Sequence, residues 1–189
     1  MAASLKTAAQ ARTWRKDGFL ISTDPSLFPV PTLIDIFNSE GFYWASAPSP
    51  DAMRELLQNS LPFGVYQERT PANPDTGSPS TNSLELVGIA RLVTDFVTFA
   101  YLTDVWVQPG NQGKGLGRWL IGCVQEVVEA MPYLRRTVLF TGDWQRSVPF
   151  YRELLGMEVV ETRVGEGLAL MESKGKGHPS YGRKGASYD

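Results

Sequence analysis

Histidine and cysteine are nearly missing from this chain of 189 residues. There is one of each, His178 and Cys123. A single cysteine excludes an intrachain disulfide framework and a cysteine-rich zinc site. The lone histidine lies in a tail of Gly, Ser and Lys, which argues against a Ser-His-Asp triad or a histidine-built metal site in the folded body. Any catalysis must then rest on carboxylates, phenols, backbone groups or water. Strong charge is absent too: 18 Lys and Arg against 20 Asp and Glu leave a net charge of −2. No field of either sign points to nucleic acid or an anionic membrane as a partner. No apolar run reaches the length of a membrane span, and no secretory signal is visible. The expectation is a soluble, cytoplasmic, metal-free protein, monomer or homodimer. The length suits one domain with a sizeable core.

Lys6, Arg12, Arg15 and Lys16 precede the first acidic residue, Asp17. That bias is shared with mitochondrial presequences, but several arginines on one apolar-backed helix are lacking. Residues 1–17 read as an exposed basic arm, 18–172 as the folded domain and 173–189 as a flexible Gly/Ser/Lys-rich tail.

Gly18 to Thr23 reads as a strand. Pro29 and Pro31 open a helix over Thr32 to Asn38, and Ser49-Pro50 caps another running to about Ser60. Phe63 to Gln67 is a short strand. Arg69 to Ser83 holds three prolines and no large apolar residue, and reads as a solvent loop. Leu84 to Thr94 and Val97 to Val107 form a hairpin. From Gln112 to about Glu129, apolar residues recur at three and four, as in an amphipathic helix. Thr137 to Thr141 is a strand and Ser147 to Leu155 a helix. Met157 to Thr162 and Leu168 to Glu172 close the chain as a hairpin. The order is β-α-α-β-β-β-α-β-α-β-β, an α/β domain with a mixed sheet and helices on its faces.

The chemistry concentrates in Val105-Trp106-Val107-Gln108-Pro109-Gly110-Asn111-Gln112-Gly113-Lys114-Gly115-Leu116-Gly117-Arg118. A strand ends, and closely spaced glycines lead into a helix. Unpaired N–H groups, the helix dipole and the missing Cβ atoms make an anion site, with Lys114 and Arg118 nearby. A P-loop is excluded, because Gln108 stands where its first glycine should be and Gly115 follows Lys114 in place of Ser or Thr. The dinucleotide pattern G-x-G-x-x-G fails at Arg118 or at Leu120, depending on the starting glycine. The pattern that fits is Q/R-x-x-G-x-G/A, over Gln112 to Gly117. Glycine costs a helix about 1 kcal/mol relative to alanine, so three glycines in or beside a first turn are a poor choice unless something lies against them.

This segment resembles the coenzyme A-binding motif of the GNAT superfamily of N-acetyltransferases, and V-x-V-x-P before it is typical as well. Ser147 to Met157, with Phe150-Tyr151 and Gly156, resembles the family's second signature. Phe63-Gly64-Val65-Tyr66 and Val87-Gly88-Ile89-Ala90-Arg91 look like its second and third strands. The resemblance covers roughly residues 18–172. It implies a GNAT-like acyl-CoA N-acyltransferase fold, closest to the small-molecule type, that uses acetyl-coenzyme A as cosubstrate.

By that resemblance the pyrophosphate lies on the backbone of Gln112, Gly113, Lys114, Gly115, Leu116 and Gly117, close to Arg118. The pantetheine pairs with the strand edge at Val105, Trp106 and Val107. Tyr151 matches the tyrosine that protonates the departing sulfur. Asp104 and Tyr101 are the candidates for deprotonating the amine, and Asp104 reads equally well as a structural hydrogen-bond acceptor. Strict alternation sets these two on opposite faces, which a bulge would alter. Trp44, Phe63, Arg91, Asp95, Tyr101 and Trp144 are the candidates for an acceptor pocket. The expected acceptor is a small-molecule amine. A protein lysine or N-terminus, or acyl-CoA binding without amine acetylation, remain alternatives.

Overall fold

The computed structural model describes residues 4–69 and 83–160. The tail and most of the expected terminal hairpin and of the proline-rich loop lie outside them; the described start of that hairpin, Met157 to Val160, forms no strand. Six strands form one sheet in sequence order: β1 (Thr13–Lys16), β2 (Phe19–Ser22), β3 (Leu61–Arg69), β4 (Ser83–Thr94), β5 (Phe99–Val107) and β6 (Arg136–Val138). Neighbours are antiparallel except β5 and β6, which run parallel. Five helices accompany them: α1 (Leu5–Ala9), α2 (Val30–Phe37), α3 (Pro50–Gln58), α4 (Leu116–Glu129) and α5 (Ser147–Leu155). From β2 to α5 the order is β-α-α-β-β-β-α-β-α, as expected.

The sheet is buried on both faces. On one, α4 lays Leu116, Leu120, Ile121, Val124 and Val127 against Phe63, Val65, Ala90 and Leu102. On the other, α2 brings Leu33, Ile36 and Phe37 and α3 brings Met53 and Leu57 against Tyr66 and Ile89. These positions recur at three and four along each helix, so each turns one apolar stripe to the sheet. Ser49 caps α3 as expected, its Oγ accepting from the Ala52 N–H at 3.3 Å.

The N-terminal arm is a correction to the sequence reading. Asp17 and Gly18 both have positive φ, 49° and 79°. They make a two-residue hairpin turn whose twist suits the flanking strands, and Asp-Gly is its strongest local signal. The basic stretch folds back as β1, pairing Lys16 with Phe19 and Thr13 with Ser22. Trp14 stacks on Phe63 at 6.2 Å and donates from Nε1 to Glu126 Oε2 at 2.8 Å. Arg15 pairs with Glu68. Two further boundaries move. Helix α4 starts at Leu116, because Gly113 and Gly115 sit in the left-handed region at φ 79° and 77°. Strand β6 stops at Val138, three residues short of the expected Thr141.

Candidate active site

Strand β5 carries a bulge. Ile89 faces Trp106 and Arg91 faces Thr103, so β5 spends one residue more than β4 over that interval. The extra residue is at Asp104, whose φ of 54° is left-handed. Aspartate tolerates this region better than most side chains, because its short polar group bonds locally. The bulge resets the alternation. Ala100 and Leu102 face α4, as Val105 and Val107 do, while Trp106 turns to the α2/α3 side.

Asp104 is buried and occupied. Its Oδ2 accepts from Arg91 Nε at 2.7 Å and from Arg91 Nη2 at 2.7 Å, and Oδ1 accepts from the Thr103 hydroxyl at 3.2 Å. Thus the structure joins a candidate base and a candidate acceptor contact into one buried ion pair. Of the two readings of Asp104, this geometry favours the structural one.

Before it reaches the bulge, β5 leaves its parallel neighbour. Only Phe99, Ala100 and Tyr101 pair with β6, against Arg136, Thr137 and Val138. From Leu102 to Val107 the edge facing β6 has no strand partner among the described residues. Backbone groups that no strand satisfies must find other partners.

At the end of β5 a 3-10 turn over Pro109–Asn111 leads into the glycines. Asn111 orders this loop from within: its amide donates to Gln108 Oε1 at 2.8 Å, and its Oδ1 accepts from Lys114 Nζ at 2.7 Å. Gln112 Nε2 donates to the Val107 carbonyl at 3.0 Å. A Cβ built on Gly110, Gly113, Gly115 or Gly117 would find no atom within 4 Å. The glycines face open space, so packing against the protein does not explain them. A cavity of about 140 Å³ opens beside the loop, lined by Lys114, Gly115, Leu116 and Trp119 and by Lys16, Asp17 and Phe19 at the first hairpin. Lys16 thus joins the loop, a consequence of the hairpin missed in the sequence.

Arg118, at the start of α4, already has a partner. Its guanidinium makes a two-pronged bridge to Glu153 on α5, at 2.8 and 2.6 Å. That hydrogen bond holds the Glu153 carboxyl below its usual range. Glu153 lies 35 residues away in sequence, so no local pattern pointed to it.

Tyr151 is half-buried on α5 and packs on the same core cluster as Val105 and Val107. Burial pushes its phenol up to about 12, so it remains protonated at neutral pH and suits an acid. Tyr101 lies on the other side of the sheet and meets Phe140 edge-on at 5.4 Å. Phe140 is another residue the sequence reading passed over.

The acceptor candidates divide. Trp44 packs with Phe42 at 4.3 Å and joins the cluster that includes Trp106. Gly41 brings this segment against Trp106: a Cβ there would lie 3.4 Å from Nε1. Trp144 is exposed, between β6 and α5. Two candidates are corrected. Phe63 is fully buried under α4 and belongs to the core. Asp95 closes the β4–β5 turn: its carboxylate accepts from the Thr98 hydroxyl and from the N–H groups of Val97, Thr98 and Phe99. Those bonds hold its carboxyl far below the usual range and tie both oxygens to the turn.

A sheet that parts beside a glycine-lined helix start defines an α/β protein built to take an extended, anionic ligand. The sequence pattern of the Acetyltransferase (GNAT) family matches residues 33–157. A Gibberella zeae protein assigned as an acetyltransferase is 34% identical over 176 residues, covering 88% of this chain and 96% of its own length. The chain belongs to the GNAT acetyltransferase family. A GNAT-family crystal structure from Xanthomonas campestris superposes with a TM-score of 0.60 at 27% identity, covering 86% of this chain and 97% of that one. An Arabidopsis thaliana protein solved with a bisubstrate analogue shares the fold, at TM-score 0.55 and 14% identity over 76% of this chain and 85% of its own. The Glyoxalase/Bleomycin resistance protein/Dioxygenase pattern also matches residues 133–187, too small a share of the chain to show membership. No helix among the described residues is long and apolar enough to cross a membrane. Nor do those residues contain a group of three His, Cys, Asp or Glu suited to a metal.

Proposed function

We propose that this acetyltransferase uses acetyl-coenzyme A to acetylate a primary amine of a small molecule, by direct attack within a ternary complex. The observation that carries the reading is the parting of β5 from β6 after Tyr101, immediately before glycines that face open space. Backbone N–H groups and a helix start suit the pyrophosphate, and the free strand edge suits the pantetheine amides in β-fashion.

In this reading the amine nitrogen attacks the thioester carbonyl carbon. A backbone N–H near Val105 meets the charge developing on the oxygen. The carbon–sulfur bond breaks, and Tyr151 gives its phenolic proton to the leaving sulfur. The amine loses a proton to solvent, which restores the phenol. A primary alkylamine is only about one part in 10³ neutral at physiological pH, so deprotonation comes before attack. With both oxygens of Asp104 engaged, water is the proton carrier, and Tyr101 is the side chain left to assist it. Trp44, Tyr101 and Trp144 supply aromatic surface to an amphiphilic acceptor.

Two measurements test this reading. Acetyl-coenzyme A at a hundredfold excess over its dissociation constant should add about 2.7 kcal/mol of stability. A thiol-release assay over a panel of free amines and peptides should show turnover with free amines. No melting shift at millimolar acetyl-coenzyme A would sink the reading, and turnover confined to peptides would replace the acceptor class.

A further inference from the structure

Arg118 is the third residue of α4, at the positive end of the helix dipole. A cation is poorly placed there unless an anion accompanies it. In this structure the anion is Glu153, whose carboxylate fills both prongs of the guanidinium. The same fork receives a phosphate in the same geometry. Beside it, Gly113, Gly115 and Gly117 leave open space along the loop. Both partners are more than half exposed, so the bridge can open without unburying either one.

We propose that Glu153 is a built-in competitor for the phosphate of the cosubstrate: it holds Arg118 in the free protein and must yield it when the anion binds. The inference rests on the acetyl-coenzyme A reading above. Glu153 is a positioning residue acting through Arg118, and it weakens binding in two ways. The bridge must break, and a carboxylate then remains near a polyanion. The first effect requires Arg118, whereas the second does not.

The test is a double-mutant cycle read by calorimetry with acetyl-coenzyme A, over wild type, Glu153→Gln, Arg118→Gln and the double variant. Glutamine keeps the size of the side chain and removes its charge. Exposed ion pairs of this kind are weak, so Glu153→Gln should tighten binding by about two- to fivefold. Arg118→Gln should weaken it. In the Arg118→Gln background the glutamate substitution should tighten binding less than in wild type, because only the repulsion between the carboxylate and the polyanion is left to relieve. Melting temperatures of the four proteins should agree within a few degrees. Binding unchanged or weakened by Glu153→Gln overturns the proposal, as does a large drop in its melting temperature, since the bridge would then be structural. Equal tightening in both backgrounds overturns it as well, because Glu153 would be acting by plain repulsion. Absence of binding by the wild type defeats the acetyl-coenzyme A reading itself and the inference with it.

Discussion

Replacing Asp104 by alanine separates the two roles this carboxylate could have. In the structure it anchors a buried pair: side-chain exposure is 5% for Asp104 and 14% for Arg91. Removing one member strands the Arg91 guanidinium in the sheet, which costs about 3 to 5 kcal/mol. Alanine also occupies the left-handed backbone at φ 54° less well than aspartate, adding about 1 kcal/mol. The sum is about 4 to 6 kcal/mol. For a domain of this size each kcal/mol lowers Tm by about 2 to 4 °C, so the variant should melt about 8 to 24 °C below wild type. Asp104→Asn keeps the shape and the backbone preference and loses only charge, so it should fall between the two. Arg91→Met combined with Asp104→Ala should be less damaging than the sum of the singles, because no charge is left stranded. Urea denaturation gives the free energies, and thiol release gives kcat at a temperature where every variant is folded. A variant that melts within about 2 °C of wild type yet loses a thousandfold in kcat would refute the reasoning. The carboxylate would then be serving the reaction and not the bulge.

Three further outcomes follow from the geometry. Tyr151→Phe should lower kcat by about 10²- to 10⁴-fold, the usual reach of general acid catalysis, with the acetyl-coenzyme A dissociation constant within a few-fold of wild type. With its phenol pushed up to about 12, wild-type kcat should show no falling limb from this group below about pH 11, and a limb near pH 8 would assign the acid elsewhere. Gly117→Ala should leave stability unchanged or raise it by up to about 1 kcal/mol, since a Cβ there meets nothing and alanine is the better helix former. Its acetyl-coenzyme A affinity should nevertheless fall, and unchanged affinity in calorimetry would mean that the glycines serve only the chain turn. Gly115→Val is a poorer probe, because φ 77° penalises any side chain whether or not a ligand is near. Finally, burial raises the Tyr66 and Tyr151 phenols and lifts the Cys123 thiol from 9.0 to about 12. The folded chain keeps these protons to higher pH than the unfolded chain does. Their stabilisation is therefore present at neutral pH and is lost as pH climbs from about 9 towards 12. Urea midpoints that stay level or rise across that interval would contradict it.

The residues that made the fold legible are those whose meaning is local. Ser49-Pro50 announced α3, and Gln112 to Gly117 with Phe150-Tyr151 announced the family and its glycine loop. Asp17-Gly18 is equally local, a two-residue hairpin turn, but the basic residues before it carry no strand pattern strong enough to show β1 without the turn. The periodicity of α4 is plain in the sequence, yet the helix starts at Leu116, four residues after Gln112. Apolar spacing says which face is buried, but only the left-handed φ of Gly113 and Gly115 shows where the helix begins.

The sequence by itself determined what lies within one turn or one strand of a residue: the amphipathic stripes, the cap of α3 and the glycine loop. Tertiary structure alone decided which charges are free. Asp104 stands 13 residues from Arg91, and Arg118 stands 35 from Glu153. Whether a carboxylate is a base or half of an ion pair depends on what the fold sets within about 3 Å of it. Only after β5 bulges and parts from β6, and α5 settles against α4, do those distances exist.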